Sequence, residues 1–256
     1  MNHKCILILV DGMRPDAIPA CGHPFCREIL SAGAVQRMAR SVMPSVTLPC
    51  HISLFHSVPP SRHGTLTNTY SQQVRPVRSL FEVLHSAGKT TAFFYSWEPL
   101  RDIALPGHLS YGGFLKLADN PQSDRQLTDA VLTRLRNSEP DFTFLYLGET
   151  DEAGHAKGWM SPFYLETLSG AWDCIRRVCE QAGDDYDILI TADHGGHDRT
   201  HGSDCPEDMT VPLFVRTPGL SLRPELGEPD LLDLAPTICR LLEVPADREW
   251  EGASLI

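Results

Sequence analysis

The 256-residue chain has few basic side chains, with 22 Lys and Arg against 33 Asp and Glu, and its formal net charge is -11. No basic stripe offsets these acids, which excludes a protein whose main task is to grip a nucleic-acid polymer. Bound divalent cations would still make one cleft locally positive. A small anionic ligand is therefore compatible with the charge of the chain.

Long hydrophobic runs are also absent. The apolar run at residues 4–10, KCILILV, is too short for a membrane span or for the core of a signal peptide, and it stops at Asp11. We therefore expect a cytoplasmic protein without membrane contact. The eight Cys form no Cys-x-x-Cys pair, so most are expected to be buried thiols in a reducing compartment.

Apolar segments of two kinds alternate along the chain. Short runs typical of strands buried on both faces occupy residues 4–10, 90–96, 141–148, 186–192 and 211–217. Segments with helical periodicity occupy residues 79–88, 123–137 and 165–183. This order predicts one α/β domain over residues 1–256, with a mostly parallel central sheet and helices on both faces. Residues 97–125 lack periodicity and are predicted as a long loop or a small cap.

Acidic and imidazole side chains follow three of the predicted strands. Asp11 follows the first strand, Asp151 and His155 follow the third, and Asp193 and His194 follow the fourth. In parallel sheets the ligand crevice lies outside the carboxyl ends of the strands. We therefore expect these side chains to meet at one edge. Taken singly, Asp11 is better explained by turn chemistry, and Asp151 with His155 by a surface pair.

The stretch TADHGGHDRTHG, residues 191–202, is the strongest single signal. It contains Asp193, His194, His197 and His201, four good metal ligands. Gly195 and Gly196 would allow another backbone segment to approach closely. His197 is interpreted as a supporting residue or a substrate contact, and the alternative for the whole stretch is a solvated polar loop.

Thr47 stands before Leu48 and Pro49 at the predicted start of a short helix. A hydroxyl in that position lies among free backbone N–H groups that suit a phosphoryl oxygen. A bound metal would lower the pKa of the hydroxyl and make it a nucleophile. The alternative is that Thr47 is only a helix N-cap.

These motifs, taken in order, resemble the two-metal site of the alkaline phosphatase superfamily, and its type I phosphodiesterase/nucleotide pyrophosphatase branch in particular. The resemblance runs from residue 5 almost to the end of the chain. It implies one metal bound by Asp11, Thr47, Asp193 and His194, and a second bound by Asp151, His155 and His201. Asn68 is similar to an Asn that donates to a phosphoryl oxygen in that branch, with a plain loop Asn as the alternative.

The resemblance implies hydrolysis of a small phosphate ester or nucleotide through a phosphothreonine intermediate at Thr47. Mixed Asp and His ligands suit two zinc ions, with manganese as the alternative. Aromatic side chains such as Trp159 are candidates for stacking on a leaving group, with plain packing as the alternative. The sequence gives no indication of the oligomeric state.

Other activities of the same superfamily stay open at this point. A phosphomonoesterase, phosphonate hydrolase or phosphomutase would need added basic residues, for which Arg14, Arg62 and Arg75 are available. A sulfatase is disfavoured because Cys50 lies three residues beyond Thr47 and not in the nucleophile position. A non-catalytic metal-binding protein is disfavoured because it would need no Thr47.

Overall fold

The computed structural model describes residues 4–105, 107–118, 120–218, 221–223 and 227–256. Within them, seven strands form one sheet. The strands are β1 (Lys4–Val10), β2 (Val35–Arg40), β3 (Thr91–Tyr95), β4 (Tyr111–Phe114), β5 (Phe142–Leu147), β6 (Tyr186–Thr191) and β7 (Thr210–Arg216).

The same described residues form ten α-helices and short 3-10 turns. The helices are α1 (Ala17–Ala20), α2 (Phe25–Ser31), α3 (Thr47–His56), α4 (Pro60–His63), α5 (Leu80–Ser86), α6 (Ser123–Ser138), α7 (Glu149–Lys157), α8 (Pro162–Ala182), α9 (Pro206–Met209) and α10 (Leu234–Leu241). Among these residues, no helix combines the length and apolar character needed to cross a membrane.

The strand order is β2-β7-β6-β1-β5-β3-β4. The five strands from β6 to β4 run parallel, whereas β7 is antiparallel to both of its neighbours. The predicted, mostly parallel sheet is therefore confirmed. Because β1 lies between β5 and β6, the three strands that precede the predicted metal ligands are direct neighbours in the sheet.

Helices cover both faces of this sheet, as predicted. On one face, Phe144 of β5 contacts Phe55 of α3, with ring centroids 5.0 Å apart. On the other face, Phe214 of β7 contacts Trp172 of α8, with centroids 5.4 Å apart. Phe144 pairs with Leu7 of β1, whereas Phe214 pairs with Ile190 of β6, which in turn pairs with Ile8 of β1. Because Leu7 and Ile8 are consecutive residues of one strand, the two Phe side chains lie on opposite faces of the sheet. Burial on both sides explains why the central strands are apolar without alternation.

The five predicted strands and three predicted helices are present, but β2 and β4 were missed. The span 97–125, predicted as a long loop or small cap, instead contains a 3-10 helix at Glu98–Asp102 and the edge strand β4. Residues 106 and 119 of that span lie outside the described residues. The β4 sequence YGGF has no apolar alternation, and a Cβ on Gly113 would lie 2.4 Å from the Phe94 ring. Tight packing against β3 requires glycine at this position. Since glycine has no side chain, β4 lacks the apolar side chains from which a strand is predicted.

Candidate metal centre

Side chains at the start of α3 and directly after β1 and β6 meet at the carboxyl edge of the sheet. His194 Nε2 lies 3.3 Å from Asp11 Oδ1 and 3.4 Å from Asp193 Oδ2. The ligand atoms of these three buried residues are all within 4.8 Å of one another. Thr47 Oγ1 lies 3.2 Å from His194 Nε2. The structure thus brings together the four residues predicted for the nucleophile-activating metal.

A second group lies beside the first. Asp151, His194 and His201 also offer ligand atoms within 4.8 Å of one another. The distances from Asp151 are 3.7 Å to His201 Nε2 and 3.5 Å to His155 Nε2. The imidazole ring of His201 stacks on that of His194 with centroids 3.8 Å apart. All seven predicted ligands are therefore neighbours, and His194 stands between the two groups.

The donor atoms fit divalent cations. Three buried carboxylate oxygens, Asp11 Oδ1, Asp151 Oδ1 and Asp193 Oδ2, have no hydrogen-bond partner among the described residues. Burial, reinforced by the Asp151 carboxylate, raises the pKa of Asp193 to about 8. Burial, reinforced by a neighbouring carboxylate, also raises the pKa values of Asp11 and Asp151 well above their usual range. Bare carboxylates this close destabilise one another, and a bound cation would remove that repulsion.

The imidazole of His201 is kept in its metal-binding form. Burial, together with the neighbouring His194, lowers the pKa of His201 to about 3. The ring is therefore neutral. Its Nδ1 donates to the Ser45 carbonyl at 2.9 Å, which fixes the tautomer and leaves the Nε2 lone pair directed towards Asp151. A backbone carbonyl that orients a ligating imidazole in this way is typical of metal sites.

Thr47 is the first residue of α3, and Val46 is the N-cap. The interpretation of Thr47 as an N-cap is therefore wrong, because its hydroxyl contacts His194 instead of the helix backbone. The sequence also predicted that the backbone N–H groups at the start of this helix are free, and one of them is not. The N–H of Leu48 donates to Asn68 Oδ1 at 3.0 Å, so this group is taken, and the exposed Asn68 side chain is fixed over the first turn of α3.

Two buried side chains that the sequence did not indicate hold this arrangement. The hydroxyl of Tyr146, in β5, donates to Asp11 Oδ2 at 2.5 Å. His51 Nδ1 donates to the Thr47 carbonyl at 2.8 Å and lies 3.5 Å from Asp193 Oδ2. His51 lies one helical turn after Thr47 on α3, so the four-residue spacing could have indicated from the sequence that the two residues are neighbours. For Tyr146 no local signal exists, because its partner lies 135 residues away in the sequence.

The turn after β1 is fixed from α8 and from the loop before it. Trp159 Nε1 and the Tyr164 hydroxyl both donate to the Gly12 carbonyl, at 2.9 and 2.8 Å. Trp159 is only 7% exposed. It is a packing residue of the centre and not a free platform for a leaving group.

The N-termini of α6 and α7 cap each other. Asp124 of α6 accepts from the Gly148 N–H at 2.9 Å, and Glu149 of α7 accepts from the Asp124 N–H at 3.0 Å. Each carboxylate thereby satisfies a free backbone donor at the start of the other helix. This exchange fixes α7, which carries Asp151 and His155.

Other predicted residues have structural partners of their own. His197 lies in a separate group with Cys205 and Asp208. The Arg14 guanidinium pairs with Asp16 and donates to the Gly196 carbonyl, and Arg62 pairs with Glu249. Cys50 is buried in α3, and its thiol lies 3.3 Å from the Ser41 hydroxyl. Burial raises the pKa of Cys50 well above its usual range, so the thiol stays protonated.

Gly195 and Gly196 permit the close approach that the sequence predicted. A Cβ on Gly195 would lie 2.0 Å from the Glu207 carbonyl oxygen, and one on Gly196 would lie 2.2 Å from the Trp159 ring. The N–H groups of both glycines donate to α9, to Asp208 and Glu207 carbonyls. Backbone contact therefore holds His194 and His201 in place.

We expect Gly195→Ala to lower the free energy of unfolding by about 3 kcal/mol, because the methyl group meets backbone that cannot rotate away. Gly170→Ala is the matched control, since nothing lies within 4 Å of its added Cβ on α8. That change should be neutral or slightly stabilising. Urea unfolding of both variants checks the prediction, and equal stability of the two would contradict it.

Known proteins resemble this chain in both sequence and fold. Residues 5–105 and 112–209 match the family model of type I phosphodiesterase/nucleotide pyrophosphatase. Over 138 residues, 51% of this chain, the sequence is 33% identical to 2,3-bisphosphoglycerate-independent phosphoglycerate mutase of Staphylococcus aureus. The match covers 26% of that mutase.

Solved structures share the fold. Murine ectonucleotide pyrophosphatase/phosphodiesterase 5, an inactive variant in complex with AMP, aligns over 96% of both chains with a TM-score of 0.78 and 15% identity. Phosphonate monoester hydrolase from Silicibacter pomeroyi aligns over 99% of this chain and 76% of its own, with a TM-score of 0.74 and 17% identity. With the family match over most of its length, the chain belongs to the type I phosphodiesterase/nucleotide pyrophosphatase family of the alkaline phosphatase superfamily.

Proposed function

We propose that the protein is a metal-dependent phosphodiesterase or nucleotide pyrophosphatase with Thr47 as its nucleophile. The observation that carries this proposal is the position of Thr47 Oγ1. It lies 3.2 Å from His194 Nε2, beside buried carboxylate oxygens for which the described part of the chain offers no hydrogen-bond partner. A plain structural threonine has no need of such surroundings, whereas a nucleophile does. Family membership supports the same chemistry.

The proposed ligands form two sets. Asp11, Thr47, Asp193 and His194 would hold one ion, and Asp151, His155 and His201 would hold the other. The mixture of carboxylates and imidazoles suits zinc, with manganese as the alternative. When bound, the ions supply positive charge that lowers the pKa of the Thr47 hydroxyl and offsets charge on the phosphoryl oxygens.

The side chains around Thr47 suggest how the reaction proceeds. The Thr47 hydroxyl gives up its proton as a bond forms between its Oγ1 and phosphorus, while the bond from phosphorus to the leaving-group oxygen breaks and that oxygen takes up a proton from solvent. Water then attacks the phosphothreonine, which releases the phosphorylated product and restores the hydroxyl. His51 fixes the Thr47 carbonyl throughout. Asn68 is anchored by its Oδ1, which leaves its amide N–H groups to donate to a phosphoryl oxygen.

The arginines favour a diester over a monoester substrate. A terminal phosphate carries more negative charge and is usually bound by free cationic side chains. Two of the three candidate arginines, Arg14 and Arg62, are paired with Asp16 and Glu249 and are not free for that purpose. The third, Arg75, is exposed. We therefore rank phosphomonoesterase, phosphonate hydrolase and phosphomutase activities second. Cys50 is buried behind Thr47, which disfavours a sulfatase.

The substrate class, the role of His197, the location in the cell and the number of domains are still predictions. The substrate is expected to be a small phosphate ester or nucleotide and not a nucleic-acid polymer. His197 is a predicted substrate contact, although its Nδ1 faces Asp208. Cytoplasmic residence and a single catalytic domain also rest on the sequence alone.

A panel of three chromogenic substrates tests the proposal. Purified protein, loaded with zinc or manganese, is assayed with bis(p-nitrophenyl) phosphate, p-nitrophenyl phosphate and p-nitrophenyl sulfate. We expect kcat/KM to be highest for the diester. Its phosphoryl group carries a single negative charge and so depends less on free arginine side chains than a monoester does. A higher value for the monoester would favour the second class. No release from any of the three would favour a non-catalytic metal-binding protein.

A further inference from the structure

A second cluster of metal-ligating side chains lies outside the seven residues of the candidate centre. His197 follows the Gly-Gly pair, and Cys205 and Asp208 lie at and within the short helix α9. His197 Nδ1 is 2.8 Å from Asp208 Oδ1 and 3.6 Å from Cys205 Sγ. All three ligand atoms lie within 4.8 Å of one another. Cys205 and Asp208 have no part in the proposed reaction, and His197 enters it only as a predicted substrate contact.

One of these distances matches tetrahedral zinc geometry, and the other is about 0.6 Å shorter than that geometry requires. Zinc binds nitrogen at about 2.0–2.1 Å, oxygen at about 2.0–2.2 Å and sulfur at about 2.3 Å. Ligand atoms at tetrahedral angles are then about 3.6 Å apart for nitrogen and sulfur, and about 3.4 Å apart for nitrogen and oxygen. The first value equals the observed separation. The second requires a shift of the half-buried His197 ring when an ion replaces the proton between it and Asp208.

The carboxylate of Asp208 is already held in place. Asp208 is fully buried, and its Oδ2 accepts from the N–H and the hydroxyl of Ser203, at 2.9 and 2.8 Å. Oδ1 is left for His197 or an ion. Ligating carboxylates in metal sites are commonly fixed by such hydrogen bonds to the second oxygen. The side chain of His197 is 35% exposed, so an ion and a completing water could enter from solvent.

We propose that His197, Cys205 and Asp208 form a third metal site, which takes one zinc-like divalent cation through imidazole, thiolate, carboxylate and water. The donor set selects this class of ion, because a thiolate with an imidazole favours zinc over magnesium or calcium. Binding releases the thiol proton and any proton between His197 and Asp208. The site joins the loop that carries His194 and His201 to α9. The inference does not depend on the proposed function.

Cobalt(II) distinguishes this site from the candidate centre, because the seven residues there offer only nitrogen and oxygen donors. A thiolate-to-cobalt charge-transfer band in the near ultraviolet therefore reports the third site alone. We expect the band when reduced, metal-free protein is titrated with cobalt(II). It should disappear in Cys205→Ser and persist in Asp11→Asn, whose change lies in the other centre. Cys21→Ser is the matched control, since Cys21 is the other half-buried thiol, and it should retain the band.

Metal content gives an independent measure. After equilibrium dialysis against zinc, wild-type protein should hold one more ion per chain than Cys205→Ser. His197→Ala should weaken the cobalt affinity of the band by at least about tenfold, which covers the case in which Cys205→Ser fails to fold. The proposal is overturned if saturating cobalt gives no band while Cys205 is shown to be reduced, or if Cys205→Ser keeps the wild-type band. If the protein does not hydrolyse diesters but shows the cobalt band, the proposed function is wrong and the third metal site stands.

Discussion

Replacement of Thr47 with alanine is expected to lower kcat for diester hydrolysis by at least about a thousandfold, because it removes the oxygen that attacks phosphorus. Six of the seven predicted ligands remain, so most of the metal should be retained. The buried site loses only a hydroxyl and a methyl group, and the fold should persist. Steady-state kinetics and metal analysis on the same preparation check both expectations.

Thr47→Ser is the matched control for this prediction. It keeps the attacking oxygen and loses one methyl group, so it should retain measurable turnover and form phosphoserine on rapid acid quench. Mass spectrometry of the quenched wild-type protein should locate the phosphoryl group on Thr47. Wild-type rates in Thr47→Ala would show that the covalent route is wrong.

Removal of the metals should abolish hydrolysis and lower Tm, and the loss of Tm should grow as the pH rises. In the metal-free chain, burial raises the pKa of Asp193 to about 8 and those of Asp11 and Asp151 well above their usual range. The unfolded chain titrates near pH 4. Between about pH 4 and pH 8 the folded chain therefore holds more protons than the unfolded chain, and its stability falls as the pH rises.

For Asp193 alone this amounts to about 1.4 kcal/mol of folding free energy per pH unit within that window. Bound cations favour the ionised carboxylates, so the metal-loaded protein escapes this loss. Thermal unfolding with and without a chelator, at several pH values from about 5 to 8, measures the difference. Asp193→Asn is the control variant, because a neutral amide should flatten the pH dependence of the metal-free form. A chelator effect that is the same at every pH would contradict the argument.

The centre of the sheet could be predicted because each strand there is buried on both faces. Such strands need an apolar run, and the run in β1, β5 or β6 is visible without knowing its neighbours. The edge strands β2 and β4 could not be predicted in this way. β2 is largely exposed, and β4 has a glycine pair where the Phe94 ring leaves no room for a Cβ. Their pairing depends on backbone hydrogen bonds that any sequence can make.

In the candidate centre, too, some residues could be predicted from the sequence and others could not. Asp11, Asp151 and His194 could be selected because each stands within a few residues of a strand end. The hydrogen bond from Tyr146 to Asp11 could not, since it joins residues on two strands whose register is set by the whole sheet. The mutual caps of Asp124 and Glu149 also depend on two helix ends meeting in space.

By itself, the sequence determined the five strands that are apolar runs, three of the helices and the side chains that follow the strands, because burial and periodicity act over a few neighbouring residues. The tertiary structure decided the strand order, which sets β1 between β5 and β6 and so brings distant Asp and His residues within 4.8 Å. It also decided that His197 faces Cys205 and Asp208 instead of the main centre. The physical reason is that packing between segments far apart in the chain depends on all of them at once.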